Sequence, residues 1–221
     1  MATKAEYKVR VITEDDTEAV LVHLREFFFK NEPINESVKL LENESSRCID
    51  LERYCIKAMH GGISYVAVTD TEKIISVSLN IISALDEVDS EEIEYSDPKF
   101  LIVDKFLTIA GGNGTKAILK KFPNCKKVWD VKVLSTDSQW RGKGIAGVLL
   151  DLSRKTAYEK GCDLIRMDCS SYYSARVAEK LGFELVHEML FDDYREDGKP
   201  VFAIPHPHTS ATTYVQKILP P

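Results

Sequence analysis

Apolar positions alternate with polar ones over "YKVRVIT" (Tyr7–Thr13), which predicts a first strand. Directly after it the period changes. In "EDDTEAVLVHLREFFF" the residues Val20, Leu24, Phe27 and Phe28 share one helical face, and the first turn is acidic. "NEPINES" breaks that helix. Cys48, Leu51, Cys55 and Met59 mark a second helix that stops at Gly61-Gly62. "SYVAVTDTEKIISVSLNII" reads as two strands around a turn at Asp70–Lys73. The acidic run Asp86–Asp97 reads as a solvated loop. Pro98 opens a helix that Gly111-Gly112-Asn113-Gly114 interrupts as a mobile loop, with a short "TKAILKKF" helix after it.

"CKKVWDVKVLS" is the strongest strand of the chain. A helix follows with Ile145, Leu149, Leu152 and Thr156 on one face and Val148 beside it. "CDLIRMDCS" is a strand, "YSARVAEKLGF" a short helix stopped at Gly182, and "ELVHEMLFDDY" and "TTYVQKIL" (Thr212–Leu219) are strands. Hairpin and crossover units are mixed, and no linker or repeat divides the 221 residues. The expectation is one α/β domain over residues 1–221, with a single mixed sheet flanked by helices.

Composition narrows the partners. The net charge of −6 argues against a nucleic-acid binder, which would carry a basic face. No run approaches the roughly 18 apolar residues of a membrane span, and the N-terminal segment has no apolar signal core. Five scattered cysteines with no C-x-x-C pair read as reduced thiols of a cytoplasmic protein, which is expected to be a monomer. The N-x-S/T matches at Asn35, Asn43 and Asn113 are then coincidental.

The chemistry is concentrated at one corner, "DSQWRGKGIAG", between the strong strand and its helix. A helix N-terminus exposes unpaired N–H groups, glycines let an anion approach the backbone, and Arg141 and Lys143 add charge. A phosphate-bearing ligand suits that corner; a plain turn with surface cations is the bland reading. It is not a dinucleotide fingerprint, because no ribose-binding acid follows at the right place, and it is not a P-loop. His206 and His208 stand in a proline-rich loop without carboxylate or cysteine partners, so no metal site is expected.

The stretch with Val131, Val133, Gln139, Arg141, Gly142, Lys143, Gly144, Ile145 and Ala146 resembles the acetyl-CoA motif of the GNAT superfamily of N-acetyltransferases. "FFFKNEPIN", "DCSSYYSARVAEKLGF" and "PHPHTSATTYVQKI" resemble the insect arylalkylamine (dopamine) N-acetyltransferases, in that family's order along most of the chain. The resemblance implies a GNAT fold. It also implies pyrophosphate of acetyl-CoA on the glycine corner, pantetheine along the preceding strand, and acetyl transfer to an arylalkylamine such as dopamine, serotonin, octopamine or tryptamine.

It further implies Glu32 as the general base. Chain physics alone leaves Glu32 as a loop carboxylate fixed in direction by Pro33, beside Phe27–Phe29. Ser170 and Ser174 match the family's active-site serines; from spacing alone either is equally a helix cap. Many superfamily members place an acidic tyrosine where this chain has Ala178, which leaves the general acid open between Ser174, another tyrosine and water. Phe28, Tyr172, Tyr173 and His208 are the candidates for the acceptor side. Two rivals stand beside this reading. One is an acetyltransferase for polyamines, agmatine or another amine, with "DSEEIE" folded over the site. The other is a catalytically degenerate CoA-binding module.

Overall fold

The computed structural model describes residues 7–43, 45–85 and 94–220. The residues of "DSEEIE" other than Glu94, and most of the acidic run, lie outside them.

Seven strands form one sheet in the order β1-β2-β3-β4-β5-β9-β6. They are β1 (Lys8–Val11), β2 (Tyr65–Val68), β3 (Ile74–Ala84), β4 (Lys127–Thr136), β5 (Leu164–Cys169), β6 (Glu184–Leu190) and β9 (Ser210–Lys217). A two-stranded hairpin, β7 (Arg195–Glu196) and β8 (Lys199–Pro200), sits apart from it. Among the described residues six α-helices accompany the strands: α1 (Thr17–Leu24), α2 (Pro33–Ser37), α3 (Ile49–Met59), α4 (Pro98–Lys121), α5 (Ile145–Glu159) and α6 (Tyr172–Lys180). All neighbours in the main sheet are antiparallel except β4 and β5. The expected mixed sheet in an α/β fold is what forms.

Among the described residues, the two largest apolar clusters pack on the sheet. Val20 and Leu24 of α1, Leu51 and Cys55 of α3, and Phe100 and Phe106 of α4 belong to one of them. Leu149 and Leu150 of α5, Ala178 of α6 and Trp129 of β4 belong to the other. All five cysteines are buried free thiols. Burial pushes Cys55 and Cys169 well above the usual thiol range, so neither is an available thiolate.

Four local expectations are corrected. Residues Arg25–Phe29 form a π-helical turn after α1. The wider turn rotates the face by a residue, so Phe29 is buried while Phe27 and Phe28 are only partly so. "PINES" does not merely break the helix but forms α2, with Pro33 at its first position. On α5 the buried face is Ile145, Leu149, Leu150, Ser153 and Ala157, which leaves Val148 exposed.

The largest correction concerns Gly111–Gly114. These residues are not a mobile loop but the middle of α4, a continuous 24-residue helix. A Cβ on Gly114 would stand 2.3 Å from Thr213 Oγ1, so the glycine lets the helix lie close on β9.

Candidate active site

β4 and β5 pair in parallel from Val128–Leu164 only as far as Val131–Met167. Beyond that point β4 stays with β3 and β5 continues with β9, so the sheet opens into a V. A bulge sits at the fork. Leu79 pairs with Val133 and Asn80 with Val131, which leaves Lys132 as the extra residue of β4. The bulge reverses the normal alternation: Val131 packs with the α5 and α6 cluster and Val133 with the opposite one.

β4 ends in a 3₁₀ turn, Ser138–Trp140, capped by Asp137, whose Oδ1 accepts from Gln139 N at 2.9 Å. Asp137 is itself held by Lys73 at 2.8 Å. Gly142 and Gly144 then take φ of +77° and +80°, in the left-handed region that glycine adopts without strain. Gly144 is the N-cap of α5, and the space around both glycines is open. Gln139, Arg141 and Lys143 are exposed on this corner; Ile145 is buried beneath it and Ala146 partly so. Lys143 Nζ lies over the Trp140 ring at 4.1 Å, and Arg141 Nε donates to the Thr136 carbonyl at 3.2 Å. Free N–H groups, open glycines and two cations together fit a pyrophosphate.

A cavity of about 500 Å³ lies where the V opens, between α4 and the sheet. Glu32, Ser170, Phe28, Val131 and Val133 all line it. The local sequence explains how Glu32 arrives there. Pro33 holds Glu32 extended (φ −80°, ψ 121°), which makes it the N-cap of α2, and its Oε2 accepts from Asn35 N at 2.7 Å. The Asn35 side chain ties back to the Phe29 carbonyl at 3.2 Å.

Glu32 Oε1 is buried and has no hydrogen-bond partner among the described residues. Burial pushes the Glu32 carboxyl above its ordinary value. The backbone N–H of Asn35, the nearby Ser170 hydroxyl and the N–H of Ile34 oppose the rise without cancelling it. The Ser170 hydroxyl therefore lies near the carboxylate without a full hydrogen bond to Oε1.

The other predicted residues separate from this group. Ser174 does not reach the cavity. It closes a capping box with Ser171 at the start of α6, its Oγ donating to the Ser171 carbonyl at 2.9 Å. Ser174→Ala is therefore expected to cost about 1 kcal/mol of stability, measured by denaturant unfolding. Tyr172 and Tyr173 are 45% and 63% exposed, so they do not wall the acceptor side. They cluster outside with His208, whose Nδ1 accepts from Tyr172 N at 3.1 Å. The aromatic walls come instead from Phe28, Tyr54 of α3, Tyr95 and Phe100 of α4. Tyr95 packs edge-on to Phe100 at 5.0 Å. The two following residues are anchored by the buried Asp50 carboxylate, which accepts from Ser96 N and Asp97 N at 2.8 Å each.

A polar end was not foreseen. Arg166 donates to Asp168 Oδ1 at 3.0 Å, Thr115 Oγ1 at 2.9 Å and the Gly111 carbonyl at 2.8 Å, and stands 3.7 Å from Asp130. Alternation of charge along β5 would have flagged Arg166 and Asp168; nothing local flags Tyr54 or His187, which also lines the cavity.

No family model matches the chain. Among solved structures, arylalkylamine N-acetyltransferase 2 from Aedes aegypti aligns with a TM-score of 0.85 at 27% identity, covering 96% of this chain and 99% of that one. A Drosophila melanogaster polyamine N-acetyltransferase that forms N-acetylagmatine aligns at 0.82 with 21% identity, over 96% and 99% of the two chains. A mosquito arylalkylamine N-acetyltransferase-like protein, 5b, gives 0.81 at 24% over the same shares. The last two likenesses are of fold.

Proposed function

We propose that this acyl-CoA-dependent N-acetyltransferase of the GNAT fold acetylates the primary amine of an arylalkylamine by direct attack in a ternary complex. One observation carries the reading: a buried carboxylate oxygen without a hydrogen-bond partner among the described residues, Glu32 Oε1, belongs to the lining of an aromatic-walled cavity at the fork of β4 and β5. The cavity lies where the pairing of β4 and β5 ends, and the glycine corner follows the end of β4.

The amine arrives as an ammonium, with a pKa of roughly 10. Glu32 takes its proton. The nitrogen lone pair then forms the C–N bond to the thioester carbonyl, and backbone N–H groups of the splayed strand near Val133 meet the oxyanion. As the C–S bond breaks, the nitrogen gives up its second proton, which the Ser170 hydroxyl beside Glu32 relays to the departing thiolate, so that the amide and the CoA thiol leave neutral. No cysteine serves as an acyl carrier, because Cys169 at the cavity is held protonated by burial. Phe28, Tyr54, Tyr95 and Phe100 pack the ring of the acceptor.

The reading is tested by following CoA release from acetyl-CoA with tyramine, dopamine, serotonin, tryptamine, agmatine and spermidine. Turnover of the aryl amines in preference to the others supports it; acetyl-CoA binding without turnover of any of them sinks it. Two variants divide the roles. Arg141→Ala is expected to raise the KM for acetyl-CoA about tenfold, the loss of one charge-assisted contact to phosphate, with kcat little changed. Ser170→Ala is expected to lower kcat while leaving that KM and the thermal midpoint near wild type, in contrast to Ser174→Ala.

Agmatine and polyamine acceptors are the second reading. Asp104, Asp130 and Asp168 on the cavity wall favour it, and so does the likeness to the Drosophila enzyme.

A further inference from the structure

The choice between those two acceptor classes turns on one side chain. Lys132 lines the cavity. It is the bulge residue of β4, outside the register with β3 and beyond the last pair with β5, so its backbone is aimed differently from either valine beside it. Among the described residues it makes no hydrogen bond and no ion pair. The carboxylates of Asp130 and Asp168 stabilise its charge at longer range, against burial and the like charge of Arg166. A charged ammonium therefore stands inside the space that the acceptor must enter.

The carboxylates on the same wall do not cancel it in favour of a second cation. Asp168 is bound by Arg166 at 2.8 Å and by the Thr213 hydroxyl at 2.7 Å. Asp130 faces Arg166 and accepts from the Ser83 hydroxyl. These two acids and the two bases, Arg166 and Lys132, make a neutral set. Glu32 is engaged by the reacting ammonium, whose proton it takes, and so does not hold a second cation. Among the described acids of the cavity wall, Asp104 of α4, beside Tyr95, is left over.

We infer that Lys132 is a charge filter, a specificity-determining residue that admits amines with one positive charge and rejects those with two. The inference rests on the amine-acetyltransferase reading above and deepens it. A diamine or guanidino-amine brings its second cation into the same enclosed space as the Lys132 ammonium. Like charges in a weakly screening cavity repel strongly enough to cost about tenfold or more in kcat/KM. A neutral ring or alkyl tail pays nothing of the kind, and an electron-rich ring gains from facing the cation. Without Lys132 the polar set becomes net negative, and with Asp104 it would welcome the second charge.

The test separates charge from shape. Butane-1,4-diamine and n-pentylamine have equal length and differ only in the distal group; tyramine checks the aromatic wall. CoA release is followed for each with wild type, Lys132→Met and Lys132→Arg. The expected result is a wild-type preference for pentylamine over the diamine of about tenfold or more, a Lys132→Met ratio lower by about tenfold, and a Lys132→Arg ratio like wild type. A wild type that takes the diamine as well as pentylamine overturns the inference, whatever the variants do. So does an unchanged ratio in Lys132→Met. Absence of turnover with every amine, despite acetyl-CoA binding, overturns the acetyltransferase reading and this inference together, whereas turnover with the wrong ratio overturns the filter alone.

Discussion

Glu32→Gln is expected to lower kcat by about 10²- to 10⁴-fold, the usual worth of a positioned general base, while leaving acetyl-CoA affinity close to wild type. Gln can still accept from Asn35 N, so the cap on α2 and the direction of the side chain survive the change. What is lost is the ability to take a proton. The pH profile makes the result specific. Burial raises the Glu32 carboxyl above its ordinary value of 4.5, so the acid limb of kcat/KM should lie above the usual carboxylate range in the wild type and vanish in the variant. A variant that keeps both the rate and the limb would remove Glu32 from the reaction.

The same shift has a consequence for stability, with a definite sign. A carboxyl whose pKa is raised by folding binds its proton more tightly in the folded state. Its stabilising contribution is therefore complete below the unfolded pKa and is lost as the pH rises through the folded one. Wild type should lose stability across that window, from the ordinary carboxylate range up to the raised value, and Glu32→Gln should not. The thermal midpoint of the variant minus that of wild type is expected to grow with pH over this interval. Lower activity with higher stability in one variant is the signature of a carboxylate held in an apolar site for its chemistry.

The part of this site that could be read along the chain is the part carried by contiguous residues. Strand alternation located β4, the glycine pair located the turn into α5, and Glu-Pro located a side chain that cannot continue a helix. Each rests on a local backbone rule, and each holds in three dimensions. The acceptor walls follow no such rule. Tyr54, Phe100, Lys132 and Arg166 come from α3, α4, β4 and β5 and meet only because the sheet order places those elements around one fork. Lys132 was invisible for a further reason: "VKV" reads as plain alternation, and the bulge that turns it inward is a property of the pairing with β3. Ser170 and Ser174 illustrate the opposite case. Four residues apart, they have the same local chemistry, and only the start of α6 decides that one caps a helix and the other faces Glu32.

Gly114→Ala and Gly112→Ala should shift stability in opposite directions, although both replace a glycine in the same helix. Helix propensity alone favours alanine by about 1 kcal/mol at either position. At Gly112 a Cβ meets nothing within 4 Å, so that gain should appear nearly whole, as about 0.5–1 kcal/mol in denaturant unfolding. At Gly114 the Cβ would lie 2.3 Å from Thr213 Oγ1, 3.0 Å from Thr213 Cβ and 3.0 Å from Arg166 Nη2. None of these can step aside freely. Thr213 is in β9 and its hydroxyl donates to Asp168 at 2.7 Å; Arg166 is held by Asp168, Thr115 and the Gly111 carbonyl. The helix must therefore lift from the sheet, at a cost of about 1–3 kcal/mol that outweighs the propensity gain. Because α4 also carries Phe100, Asp104 and Thr115 into the cavity, the lift should reach the acceptor side and raise the KM for the amine more than that for acetyl-CoA. Equal stabilisation of both variants would mean that α4 does not need its close seat on β9, and the glycines would then revert to the helix interruption that their sequence suggests.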